Sequence, residues 1–186
     1  MKQIIFFRHG KVNMKDNQKI SAFEFKKWID KYNNCDIILD KRALDNKNIV
    51  DKSDAVICSN LKRSIQSANF FGKKPLKQDD IFNEAGIPYL NWTKLKLSPR
   101  IWLIIFRILW LFGYSKNCES YKEAKQRAKK ASLELIKLSK EYDNIVLFGH
   151  GIFNRLLLKE MMLNNWEIKK KLKSKNWGYG IIEQNR

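Results

Sequence analysis

The stretch Ile4-Ile5-Phe6-Phe7-Arg8-His9-Gly10 decides how the rest of the chain is interpreted. A short, continuously apolar run is typical of a strand buried on both faces, and it predicts a strand over residues 3–7. An Arg and a His follow this strand directly. In open α/β sheets, reactive groups lie at the carboxyl ends of the strands. Arg8 and His9 are therefore candidate functional residues.

The second of the two histidines in the chain repeats this context. The run Asn144-Ile145-Val146-Leu147-Phe148-Gly149-His150-Gly151 is again apolar and stops at a histidine flanked by glycines. Two histidines at strand ends, brought together by the fold, predict a phosphoryl-transfer site.

The remaining segments predict helices that alternate with strands. Residues 21–24 and 120–123 are capping boxes, with Ser followed three residues later by Glu, and each predicts a helix start. Residues 55–58 and 178–183 read as further strands. This alternation predicts an α/β protein, specifically a three-layer α/β/α sandwich with a mostly parallel central sheet and a small helical cap. A chain of 186 residues predicts one domain, 1–186, with the cap inserted at about residues 87–118.

The expected cap contains a helix over residues 99–112 that is nearly all apolar. Trp102, Phe106 and Trp110 form a ridge at four-residue spacing. One interpretation is a helix that dips into a membrane surface, aided by nearby Lys and Arg residues that include Arg107. The other is a buried helix over the active site. We favour the buried helix, because interfacial helices usually have a strongly polar face and this one does not.

Composition restricts the classes of function. The net charge of +18 favours anionic ligands, although most of the excess is explained by lysines on solvated helix faces. Basic runs that alternate with stacking aromatics are missing from the sequence, so specific nucleic-acid binding is not expected. Cys35, Cys58 and Cys118 form no CxxC pair, which predicts neither a disulfide framework nor a zinc site. A reducing, cytoplasmic setting is expected.

Four blocks of the sequence together resemble the histidine phosphatase superfamily, the phosphoglycerate-mutase-like fold. They occur in the family's order and span nearly the whole chain. Residues 84–88 and the aromatic helix within residues 98–113 differ from the mutase pattern, which suggests a small bacterial-type phosphatase branch. The blocks are Arg8-His9-Gly10, residues 58–68, residues 82–88 and residues 148–151.

The resemblance implies a role for one or two residues in each block. His9 would be the nucleophile, Glu84 the general acid and base, and His150 a further donor to the phosphoryl group. Arg8 and Arg63 would bind the phosphoryl oxygens, for which the planar guanidinium fork is well suited. The implied function is a metal-independent phosphomonoesterase without a cofactor, acting through phosphohistidine on a small phosphorylated metabolite or a protein phosphohistidine.

Two other functions stay open from the sequence. The chain is alternatively a catalytically silent member that binds a phosphorylated or anionic ligand. A phosphoglycerate-type mutase is less favoured, because such mutases carry longer insertions. The sequence also departs from the commonest family pattern, since Lys11 and Val12 follow the first block and Asn13 comes early. This departure leaves the roles of Lys11 and Asn13 undefined.

Overall fold

The fold is built on a mixed sheet of six strands, seen in a computed structural model that describes residues 2–14, 18–91 and 94–185. Residues 92 and 93 of the expected cap lie outside this description. In chain order, the strands are β1 (Gln3–Arg8), β2 (Ile20–Ser21), β3 (Ala55–Cys58), β4 (Lys77–Gln78), β5 (Lys96–Leu97), β6 (Asn144–Gly149), β7 (Trp166–Lys170) and β8 (Tyr179–Gln184). The sheet has the order β4-β3-β6-β1-β8-β7, and β2 pairs separately with β5.

Parallel pairing brings the ends of three central strands to one edge. β6 lies between β1 and β3 and is parallel to both. Arg8 of β1 is in register with Gly149 of β6, and Cys58 of β3 is in register with Phe148. β8 runs antiparallel to both β1 and β7. The sheet is thus mostly parallel, and the residues that follow β1, β3 and β6 must emerge side by side.

Helices cover both faces of this sheet. They are α1 (Ala22–Asn34), α2 (Lys47–Asp51), α3 (Lys62–Phe70), α4 (Pro99–Leu111), α5 (Tyr121–Leu138) and α6 (Gly151–Met162), with short 3-10 helices at Lys41–Asn46 and Asp80–Phe82. The predicted capping boxes are present at the starts of α1 and α5, where each Ser accepts from the Glu backbone N–H and each Glu carboxylate accepts from the Ser backbone N–H.

The side chains of β1 show how the three layers form. Successive residues of a strand point to opposite faces. Ile4 and Phe6 enter the core beneath α5 and α6, whereas Ile5 and Phe7 enter the core beneath α2 and α3. Each buried side chain of this size contributes about 1.5–3 kcal/mol. These two cores confirm the predicted α/β/α sandwich.

A third, smaller core holds α4 against α1. The predicted ridge of Trp102, Phe106 and Trp110 is buried, and the first two side chains pack in this core beside Phe25 of α1. No sequence pattern singled out Phe25. The apolar residue Phe23 favours an inward position on the helix that follows the first capping box, but it is exposed. The buried ridge confirms that one face of α4 packs against the protein. The opposite face of α4 is exposed.

The segment between α1 and β3 differs from the sequence-based expectation. The segment 33–53 has no clear strand or helix periodicity in the sequence, which predicts mainly loop, but it contains the end of α1, a 3-10 helix and α2. Its apolar residues Ala43 and Val50 are buried beneath the sheet, which stabilises turns that local periodicity is too short to reveal. Among the described residues, no helix is both long and apolar enough to cross a membrane.

Candidate active site

The candidate site lies at the carboxyl ends of β1, β3 and β6. His9 follows β1, Ser59 follows β3 and His150 follows β6. The rings of the two histidines are 5.1 Å apart between centroids, although 140 residues separate them in the chain. Asn154 of α6 stabilises these strand ends, because its amide donates to Phe7 O and its carbonyl accepts from the backbone N–H of His150.

Two hydrogen bonds fix the tautomer and the orientation of the His9 imidazole. Its Nδ1 lies 2.7 Å from the carbonyl oxygen of Gly10, an atom that can only accept. Nδ1 therefore carries the proton, and Nε2 holds the lone pair. Arg63 donates its Nε–H to this Nε2 across 3.2 Å. The ring is thus held as a neutral tautomer with its nucleophilic nitrogen directed at a guanidinium.

The surroundings of His9 keep it neutral. Burial lowers the pKa of His9 well below its ordinary 6.5, and the positive charges of Arg63 and Arg8 lower it further. The hydrogen bond to Gly10 acts in the opposite direction but is outweighed. An unprotonated imidazole is the form that can attack phosphorus.

His150 is fully buried and also neutral. Burial is the main cause of its lowered pKa, followed by the charge of Arg63. Its Nε2 lies 2.7 Å from the hydroxyl of Ser59, which also accepts from the backbone N–H of Leu61. The Ser59 hydroxyl can donate to Nε2 or accept from it, depending on the tautomer of His150. Within the described structure the Nδ1 of His150 has no hydrogen-bond partner, so it can donate to a ligand in the tautomer that carries the proton there.

Two arginines lie beside the histidines. Arg63, on the first turn of α3, is buried, donates to Asn33 Oδ1 across 2.7 Å and lies over the Tyr32 ring at 5.2 Å. Arg8 donates to the carbonyl oxygen of Ser174, while its buried Nε–H lacks a partner within the described structure. Both guanidinium groups retain donors for an anion.

Glu84 contacts the start of α6. Its Oε1 accepts from the backbone N–H groups of Ala85 at 3.0 Å and Phe153 at 2.9 Å, and its Oε2 accepts from Ile152 at 3.3 Å. The N-cap residue of α6 is His150, which makes no side-chain cap of its own. Glu84 therefore caps this helix from a distant part of the chain, a role that the sequence did not reveal.

A cavity of about 370 Å³ connects these groups. Arg8, His9, Arg63 and Glu84 line it, and His150 lies behind His9. The structure thus brings the five sequence-predicted residues together. Lys11 is exposed and lines a different depression, and Asn13 contacts Asp36 through its backbone.

The cavity also contains an arginine that the sequence analysis placed elsewhere. Arg107 entered the sequence interpretation only as a cation that would aid the less favoured membrane contact of α4, but it lines the cavity and donates to the carbonyl oxygens of Gly86 and Ala85. Burial is the main cause of its lowered pKa, and the charge of Glu84 acts in the opposite direction. The sequence spacing could have indicated this position. Arg107 follows Leu103, which also lines the cavity, by four residues, and residues four apart lie on the same face of a helix.

The segment before β8 supports the first strand end. Asn176 donates to the carbonyl oxygens of His9 and Gly10, and the backbone N–H of Trp177 donates to Arg8 O. The Trp177 ring lies so close to Gly10 that a Cβ there would be 2.4 Å from it. Gly10 is therefore required by close approach. No sequence signal linked these residues to the site.

A comparison with family models gives one match, to the histidine phosphatase superfamily (branch 1), over residues 42–186. The chain belongs to the histidine phosphatase superfamily. This confirms the resemblance carried by the sequence blocks. Membership supports a phosphatase-type activity, which some members replace with mutase activity. No curated protein matches the sequence significantly.

Solved structures of histidine phosphatase type share this fold. A candidate alpha-ribazole-5'-P phosphatase from Escherichia coli has 14% identity and a TM-score of 0.63, covering 100% of this chain and 92% of that one. A mycobacterial glucosyl-3-phosphoglycerate phosphatase with VO3 has 14% identity and a TM-score of 0.61, covering 97% and 92%. A phosphoserine phosphatase mutant from Entamoeba histolytica has 14% identity and a TM-score of 0.56, covering 97% and 90%. At this identity the likeness shows the fold alone.

Proposed function

We propose that this histidine phosphatase is a phosphomonoesterase that forms a phosphohistidine at His9 and needs no metal. The observation that carries the proposal is the tautomer of His9. Its Nδ1–H is held by Gly10 O, and its Nε2 lone pair faces the cavity arginine Arg63. A neutral imidazole held in this way is suited to attack phosphorus at neutral pH.

In the first step, the Nε2 lone pair of His9 attacks phosphorus and the bond from phosphorus to the ester oxygen breaks. The departing oxygen takes a proton from the Glu84 carboxyl group, leaving as an alcohol. Arg8, Arg63 and the Nδ1–H of His150 stabilise the negative charge on the equatorial oxygens. The proton on His9 Nδ1 stays in its bond to Gly10 O, which stabilises the positive charge of the phosphorylated ring.

In the second step, a water molecule attacks the phosphohistidine. The Glu84 carboxylate accepts a proton from this water as the new bond to phosphorus forms. The bond from phosphorus to Nε2 breaks, its electron pair returns to His9, and inorganic phosphate leaves. The guanidinium groups of Arg8 and Arg63 supply the positive charge for which other phosphatases use metal ions.

The size and lining of the cavity favour a small phosphorylated metabolite over a protein phosphohistidine. About 370 Å³ lies at the low end of the range for small-molecule sites. Trp28, Ile29 and Leu103 form apolar walls, and Arg107 adds a cation beyond the two phosphate arginines. We therefore infer a compact leaving group that combines apolar contacts with a polar or anionic group.

The test compares wild type with His9→Ala in hydrolysis of 4-nitrophenyl phosphate, with and without a chelator. The expected result is activity in wild type that survives chelation, and a loss of about 10⁴-fold or more in the variant, as for other nucleophile removals. Acid-labile phosphate should be trapped on wild type alone. Wild type without turnover or trapped phosphate, but stabilised by inorganic phosphate in thermal shift, would instead indicate a silent binding member.

A further inference from the structure

An aliphatic stripe lies along the outer face of α4. Its exposed side chains range from 45% exposed at Ile101 to 87% at Phe112, just after the last helical residue. Their spacing of three to four residues places them along one side of the helix. The members of this aliphatic stripe are Ile101, Ile104, Ile108 and Leu111, and the aromatic side chain of Phe112 extends it beyond the helix end.

The opposite face holds the helix in this orientation. Trp102 donates its Nε1–H to Ile20 O across 2.8 Å, and Trp110 donates its Nε1–H to Glu119 O across 2.7 Å. Arg107 is bonded to Gly86 O at 3.0 Å. Because the indoles and the guanidinium are anchored, α4 cannot rotate to bury its stripe within the chain. The stripe remains a surface for an external partner.

The charged residues that flank the stripe in the chain are all cationic. Between Ala85 and Cys118 the sequence contains no Asp or Glu and five cationic residues. Arg107 points into the cavity, whereas Lys94, Lys96, Arg100 and Lys116 are exposed near the two ends of α4 in the chain. An acidic neighbour, Glu24, interacts with Lys96. An apolar stripe flanked by cations is complementary to an anionic apolar interface.

We propose that this histidine phosphatase docks on anionic lipid bilayers through the aliphatic stripe of α4. The stripe is about 16 Å long and lies along one side of a helix, so the helix can lie in the plane of a bilayer surface with its stripe turned inward. Its side chains enter the boundary between headgroups and acyl chains while the flanking lysines and Arg100 contact lipid phosphates. The body of the domain takes the place of the polar face that an isolated interfacial helix requires.

A second copy of the chain fits this surface less well. In a two-fold dimer the same patch faces itself, so Arg100 near the start of α4 would approach cations of the other copy, such as Lys116 beyond its end. Like charges at an interface cost free energy. Docking on a bilayer also has a consequence for the site, because α4 contributes Leu103 and Arg107 to the cavity wall. The cavity then lies about one helix diameter from the membrane.

The experiment is co-sedimentation with vesicles, and it needs no enzymatic activity. Wild type is mixed with vesicles of phosphatidylcholine alone or with about 30% phosphatidylglycerol, which imitates an anionic leaflet. Ile104→Glu tests the stripe, and Leu163→Glu is its matched control. Leu163 is 77% exposed and follows α6, at the edge of the sheet opposite the cavity. Arg100→Glu and Lys137→Glu form a second pair with identical charge change, since Lys137 lies at the far end of α5.

Wild type is expected to bind the anionic vesicles and not the neutral ones. Ile104→Glu should lower the partition coefficient at least about tenfold, and Arg100→Glu should lower it more than Lys137→Glu does. Hydrolysis of 4-nitrophenyl phosphate in solution should be unchanged in Ile104→Glu, whose side chain is not among those lining the cavity.

Three results would overturn the proposal. Wild type that remains in the supernatant with anionic vesicles would leave an acidic protein as the better partner. If the two variants of each matched pair lose vesicle binding equally, the net charge of +18 alone drives binding. A wild-type dimer in light scattering that Ile104→Glu makes monomeric, without vesicle binding, would show that the stripe joins two copies of the chain.

Discussion

Arg63 donates its Nε–H to Nε2 of His9 across 3.2 Å. The nitrogen that attacks phosphorus in the proposed mechanism is therefore engaged by an arginine that the same mechanism assigns to the phosphoryl oxygens. Arg63 must release His9 when substrate binds, while its bond to Asn33 Oδ1 keeps the guanidinium in place. The contact protects the neutral imidazole in the free enzyme and aligns both groups on one point of the cavity.

The first prediction concerns the geometry of this guanidinium. Arg63→Lys keeps the positive charge but loses the planar fork that bridges His9, Asn33 and the phosphoryl group. We expect inhibition by vanadate to weaken about tenfold or more, and kcat/KM to fall by a similar or larger factor. The matched control is Arg42→Lys, at an exposed ion pair with Asp40, which should change neither value. Unchanged vanadate inhibition in Arg63→Lys would remove Arg63 from the phosphate site.

The second prediction separates two roles of Glu84. Glu84→Gln removes the proton donor, so turnover should fall far more for alkyl phosphates than for 4-nitrophenyl phosphate, whose leaving group needs little protonation. The same change places an amide against the backbone N–H groups of Ile152 and Phe153, and the free energy of unfolding should fall by about 1 kcal/mol. Denaturant titration measures the second effect. Equal slowing of both substrates would leave Glu84 as a helix cap alone.

The third prediction is an acid-dependent loss of stability caused by the two histidines. The pKa of each is lowered in the folded protein and returns to about 6.5 on unfolding. Above this pH both states are neutral and the histidines contribute no slope. As pH falls below 6.5, the unfolded state binds protons that the folded state does not, so the free energy of unfolding decreases by up to about 1.4 kcal/mol per pH unit for each histidine.

The measurement for this prediction is the slope of the free energy of unfolding between about pH 6.5 and 5, compared for wild type and His9→Asn. In His9→Asn, the pH slope of the free energy of unfolding should be smaller than in wild type by the contribution of one histidine. Carboxylates titrate alike in both proteins, so they cancel in the difference. Identical slopes would mean that His9 is protonated as readily in the folded chain as in the unfolded one.

The fourth prediction assigns Arg107 to the leaving group. Arg107→Leu should lower kcat/KM about tenfold more for an alkyl phosphate that carries a carboxylate than for the same alkyl phosphate without it, because a charged hydrogen bond is lost only for the first. The variant also leaves the carbonyl oxygens of Ala85 and Gly86 without their donor. Any loss of folded protein affects both substrates equally, so their ratio is the readout. An equal loss would place Arg107 in a structural role only.

Much of the fold was predictable because its signals are local. The apolar runs that became β1, β3 and β6 and the two capping boxes each lie within a few residues, and their alternation implies the sandwich. The short strands β2, β4 and β5 have two residues each and are defined only by their partners. The segment 33–53 was predicted incorrectly for the same reason, since buried side chains such as Val50 stabilise its turns through contacts distant in sequence.

The sequence by itself determined the chemistry of this histidine phosphatase: two strand-end histidines, two arginines and an acid in a recognisable order. Only the tertiary structure decided how they are used. The Nδ1 proton of His9 depends on Gly10 O, the contact of His150 Nε2 depends on Ser59, and the position of Glu84 depends on the start of α6. The tertiary structure also decided that Arg107 lines the cavity and that the aliphatic stripe faces solvent. These are contacts between residues far apart in the chain, and a linear pattern of residue types carries no information on which distant atoms will meet.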